Sequence, residues 1–147
     1  MSEPMTKQRL SQYIYLKMEV EHQEERIARM KREETIPALK LGDGSKHGSG
    51  TVDRMERAIL RRMEYEERIA PKVEAALTEM RAIEDAVSSV PDPMEREVLR
   101  LRYMEGDYLR HPSWKEIARK LFGDNDERYM VAAYRLHARA LHNIRNI

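Results

Sequence analysis

Cysteine is absent from the 147 residues. That excludes disulfide staples, thiol catalysis and cysteine-ligated zinc. Aromatic residues make up 6%, with one Trp and one Phe, too few for a thick aromatic core. Glycine and proline number 6 each, and Gly42, Gly44, Gly48 and Gly50 fall in one short stretch, so most of the chain is free of helix breakers. No run approaches the roughly 18 apolar residues that a membrane span requires. The opening MSEPMTKQRLSQ has no apolar core of the signal-peptide kind, and the expectation is a soluble intracellular protein without membrane contact. The formal net charge is only +1, so any attraction to a polyanion has to come from a local patch.

What the chain has in excess is charge. Charged residues reach 36%, against about 25% in an average globular protein. From Thr6 to Glu34 the sequence is rich in Glu, Lys, Arg and Gln, all good helix formers. Tyr13, Leu16, Val20, Ile27 and Met30 form an apolar seam, interrupted by Gln23. Pro37 is expected to end this helix. The stretch GDGSKHGSGT (42–51) reads as a flexible connector. It lacks the spacing and the preceding strand of a phosphate-binding loop.

A second long helix is expected from about Val52 to Ser88. Its seam is Val52, Met55, Ile59, Ile69, Val73, Met80, Ile83 and Val87, widened by Met63 and Leu77. Pro71 predicts a kink or a break within it. Two such helices joined by a glycine-rich loop make a hairpin or an oligomerising stalk, and a homo-oligomer through the Val52–Val87 seam is one expectation.

The remainder predicts three shorter helices. Asp92 can cap the first, Pro93 suits its first position, and Glu95 has capping-box spacing. Gly106 can end it. Ser113 caps the next, with Glu116 three residues on and Gly123 closing. Its inner face is Trp114, Ile117, Ala118 and Leu121. The last runs from near Asp126 to about Ile144, with Met130, Tyr134, Leu141 and Ile144 along one side. Val98, Leu101 and Leu136 complete the expected core. With no strand-like alternation, the fold class is all-α. A long N-terminal helical hairpin or coiled-coil-like region (1–90) precedes a C-terminal helix-turn-helix bundle (91–147).

Candidate chemistry is sparse. His22, His47, His111, His137 and His142 form no i, i+4 pair with a Glu of the kind a helical zinc site uses. The pairs Glu24–Glu25 and Glu66–Glu67 suit a solvated helical surface. No nucleophile elbow is present. The expectation is a protein that is not an enzyme and carries no cofactor or metal. The last helix differs, because no acidic residue follows Glu127. Arg128, Arg135 and Arg139 lie there, and arginine can bond phosphates or guanine edges. The predicted DNA-contacting set is Lys115, Arg119, Arg128, Tyr129, Arg135 and Arg139.

The segment from Ala82 to Ile144 resembles region 4 of sigma-70-type factors. The matching pieces are AIEDAVSSVPDPMEREVLRLRYMEG, SWKEIARKL and RLHARALHNI. Over nearly its full length the chain is similar to the phage RinA/ArpU-type late transcriptional regulators: a glutamate-rich helix, a GDGS-type linker, a second long helix, then the sigma-like module. The resemblance implies binding to double-stranded DNA near promoters, contact with host RNA polymerase, and a place in the cytoplasm of a bacterial host cell. It puts Ile117, Ala118 and Leu121 in the first helix's core and Leu136 and Leu141 in that of the recognition helix. It places Arg135 where a base is read and Arg139 on the backbone-facing side. The sequence departs from the family in three places. DYLRHP (107–112) lengthens the loop, GDNDERY (123–129) lengthens the turn, and Met130 and Val131 replace polar or basic readers. Two other readings stand beside the regulator: a protein-binding adaptor built on a repurposed helix-turn-helix, and a small DNA-packaging recognition subunit.

Overall fold

The computed structural model describes residues 3–40, 48–106 and 110–145, without the side chains at 36–40, 48, 49 and 51. Every regular element among them is helical: α1 (Lys7–Ser11), α2 (Tyr13–Lys40), α3 (Gly48–Ser88), α4 (Pro93–Leu99) extended by a π-turn (Arg100–Met104), α5 (Trp114–Phe122) and α6 (Glu127–Arg145). The expected connector lies outside the described residues from 41 to 47, and so does 107–109 of the long loop.

The prolines did not act as breaks. α2 runs through Pro37 to Lys40, and α3 is continuous through Pro71. Proline removes one backbone donor and crowds one carbonyl. Each here stands in a stretch of strong helix formers, which continue the ladder on both sides. α3 also begins at Gly48, so Gly48 and Gly50 are helical and not part of the connector.

The chain divides into two units, one made of 1–18 with 77–147 and the other of 19–76. The boundary expected at residue 90 is therefore displaced. The beginning of the chain and the end of α3 belong with α4 to α6, for a reason the side chains show. Leu10 is fully buried, Arg9 Nε donates to Glu79 at 2.7 Å, and Tyr13 Oη donates to Glu84 at 2.6 Å.

In this unit α6 packs against both α4 and α5. Local signals set the helix ends. Asp92 caps α4 by accepting from the amides of Met94 and Glu95. Ser113 caps α5 by accepting from Glu116 N, and Gly123 closes it in the left-handed conformation at φ 76°, which glycine adopts without steric cost. Glu95 does not complete a capping box. Its carboxylate is buried and accepts from Asn143 Nδ2 at 2.8 Å, tying α4 to the end of α6. Arg96 Nη1 donates to Val90 O at 2.8 Å and Pro91 O at 3.2 Å, fixing the link from α3. At Gly106 an added Cβ would lie 2.7 Å from both Arg110 O and Ile14 Cδ1, so only glycine allows that approach.

Val98, Leu101 and Ile117 are buried as expected, while Trp114, Leu121, Leu136 and Leu141 are half-buried against them. The inner side of α6 shares Ile144 with the expected stripe and otherwise differs from it. Ala133, His137, Ala140 and Ile144 face the core, and Tyr134 is 57% exposed. His137 Nε2 shares a 2.6 Å hydrogen bond with the buried Tyr103 hydroxyl. Burial, with the nearby Arg102 charge, lowers the His137 pKa to about 4. Burial raises Tyr103 to about 12. The pair is neutral at neutral pH.

In the other unit, Gln23 accepts from the Tyr65 hydroxyl, and Glu34 lies 2.5 Å from Arg62. The later residue of α2 meets the earlier residue of α3, so the two segments run in opposite senses. Arg26 and Arg68 sit 4.5 and 5.3 Å from the centre of the Tyr65 ring. The expected seam is only partly right. Ile69 is buried as expected, and Tyr65 and Ala76, outside the expected seam, are buried with it, whereas Val52 and Met63 are 51% and 53% exposed.

Candidate nucleic-acid interface

An α-helix advances about 100° per residue. On α6, Arg128, Arg135 and Arg139 therefore fall within about 40° of one another. The buried Ala133, His137, Ala140 and Ile144 occupy the opposite side. All three arginines are exposed. The sequence places them there because the weak apolar stripe of α6 rotates them away from α4 and α5. Val131, 42% exposed, and His142, also exposed, lie on the same stripe.

Their electrostatic surroundings differ. Arg128 lies 3.5 Å from Asp126, and its guanidinium also sits 4.8 Å from the centre of the Tyr129 ring. Arg135 and Arg139 pair with no carboxylate among the described residues. Their charge is available to a ligand.

On α5, Lys115 and Arg119 are exposed and one turn apart, and neither is in an ion pair among the described residues. Lys120, on the adjoining side, is engaged with Glu105 at 3.5 Å. Arg100 also pairs with Glu105, and together they hold its carboxyl below the usual carboxylate range.

Tyr129 does not join the arginine stripe. It falls roughly 100° around α6 from it, half-buried, with its ring 5.5 Å from Phe122. Its role here is packing at the turn. That turn is built as a cap: Asp124 Oδ1 accepts from Asp126 N at 3.0 Å, and Asp126 Oδ1 accepts from Glu127 N at 2.7 Å. Carboxylates at a helix N-terminus are stabilised by its partial positive charge. Asp126 also draws on the stripe, through Arg128.

Sequence reasoning missed Arg102. Its guanidinium lies 4.8 Å from the centre of the Trp114 ring and donates to Pro112 O at 2.5 Å, pinning the loop ahead of α5. No spacing rule joins residues across that loop, so no local signal pointed to it. Among the described residues no group of His, Asp and Glu is placed to hold a metal ion, and no helix is long and apolar enough to cross a membrane.

Comparison with family models, curated proteins and solved structures finds no match to this chain.

Proposed function

We propose that this chain is a DNA-binding regulator of transcription of the phage type, acting in the bacterial cytoplasm, with α4 to α6 as its helix-turn-helix and α6 as the helix that enters the major groove. One observation carries the reading: Arg128, Arg135 and Arg139 share the outward stripe of α6, and the last two are without a carboxylate partner among the described residues. A major groove about 12 Å wide accepts a helix, and phosphates draw unpaired arginines. Lys115 and Arg119 on α5 supply backbone contacts. The protein performs no catalysis and uses no cofactor in this role.

The test is a binding assay on duplexes selected from a random pool. Arg135→Ala should weaken binding by about 1–3 kcal/mol and relax sequence preference. Arg139→Ala should weaken all sequences alike. A double variant that binds as well as the wild type would remove α6 from the interface.

A second reading draws on Val52, Leu60 and Met63 of α3, which are 51%, 56% and 53% exposed. In it the protein is an adaptor that docks a protein through its long helices, and RNA polymerase is the partner the sequence resemblance suggests. Polymerase capture without any DNA shift would favour it.

A further inference from the structure

Val131 stands between Arg128 and Arg135 on the outward stripe of α6, three residues after one and four before the other. It is 42% exposed. It is not among the residues that pack against the core. β-Branched residues lose rotamer freedom in helices, and an apolar side chain left this exposed gains less from burial than one in the core. A single exposed apolar residue needs no explanation by itself. What sets this one apart is its position among arginines, on the face turned away from the core. Tyr134, the other exposed large apolar residue of α6, has its ring 5.4 Å from Trp114, so packing accounts for it.

The major-groove edge of DNA offers one apolar group, the 5-methyl of thymine. We infer that Val131 reads a thymine methyl while Arg135 reads a neighbouring guanine, so the preferred site contains a thymine close to a guanine. The inference rests on the proposed DNA-binding reading. Val131 and Arg135 are four residues apart, about 6 Å along the helix. Base pairs repeat every 3.4 Å or so, which places the thymine within about two base pairs of the guanine. Val131 is the fifth residue of α6, in the N-terminal part that contacts base edges when a helix of this type docks.

The experiment uses the full chain and duplexes selected from a random pool, with each thymine replaced in turn by deoxyuridine. That exchange removes the methyl and preserves pairing. One position should weaken wild-type binding about three- to fourfold, the effect of exposing one buried methyl group. At that position Val131→Ser should bind the thymine and deoxyuridine duplexes equally. If no deoxyuridine position affects the wild type, or if the effect persists in Val131→Ser, the inference is wrong although DNA binding stands. If no duplex binds at all, the DNA-binding reading fails first and this one with it.

Discussion

The two units of this chain are made from the same kind of sequence and stabilised differently. In the unit of 1–18 and 77–147, Leu10, Ile83, Val90, Val98, Leu99, Tyr103 and Ile117 are essentially inaccessible to solvent. In the unit of 19–76 the buried apolar residues among those described are Val20, Tyr65, Ile69 and Ala76, each still 6–7% exposed. Polar pairs also join the two helices there, Gln23 with Tyr65 and Glu34 with Arg62. A helix surrounded by several neighbours buries a full side; a pair of helices buries one narrow strip each. Stability is thus unevenly shared, and the 19–76 segment should open at lower free energy than the unit that holds α4 to α6.

The largest effect on that contrast is expected from Ile117→Ala. Ile117 is fully buried at the centre of the α4–α6 packing, so the loss should be about 2–5 kcal/mol. Chemical denaturation followed at Trp114 measures it. A loss below about 0.5 kcal/mol, typical of exposed positions, would contradict the core assignment.

Acid should act next, and on the same unit. An unfolded histidine titrates near 6.5, whereas His137 in the fold titrates at about 4. Between those values the unfolded chain takes up a proton that the folded chain refuses. The contribution of neutral His137 is therefore complete above about pH 6.5 and declines as the pH falls towards 4. Denaturation midpoints across this window should fall for the wild type and flatten for His137→Gln. Parallel curves for both proteins would mean that other groups set the acid response.

The smallest effect sharpens the comparison from the other side. Tyr65→Phe keeps the ring beside Arg26 and Arg68 and removes the bond to Gln23, at a cost of about 0.5–1.5 kcal/mol. Hydrogen exchange should quicken in 19–76 and stay unchanged in α4 to α6. Equal acceleration in both would show that the two units unfold together.

Features fixed by neighbouring residues were readable in the sequence. Asp92, Ser113 and Gly123 cap where expected, because capping depends on residues within one turn. The inner side of α6 was misread because its largest apolar residues, Met130, Tyr134 and Leu141, flank the core. Ala133 and Ala140 occupy the interior, where small side chains let helices approach, and His137 is accommodated because Tyr103 meets it from another element. The break expected at Pro37, and the break that stood beside a kink as the expectation at Pro71, do not occur, because the good helix formers on either side offset proline's local cost. The cations of the candidate interface were legible as a set, since an acid-free run on an amphipathic helix turns its charge outward. Which of them are engaged was not. The Arg128–Asp126 pair and the inward-packed Tyr129 depend on the geometry of the turn.

The claim that the outward stripe of α6, with Lys115 and Arg119, binds duplex DNA is tested most directly by the salt dependence of binding. Each phosphate neutralised contributes about −0.9 to the slope of log K against log salt. If Lys115, Arg119, Arg128 and Arg139 each meet a phosphate while Arg135 reads a base, the wild-type slope should be about −3 to −4. It should become shallower by about one with Arg139→Ala. A slope near zero, or one that Arg139→Ala leaves unchanged, would contradict the account.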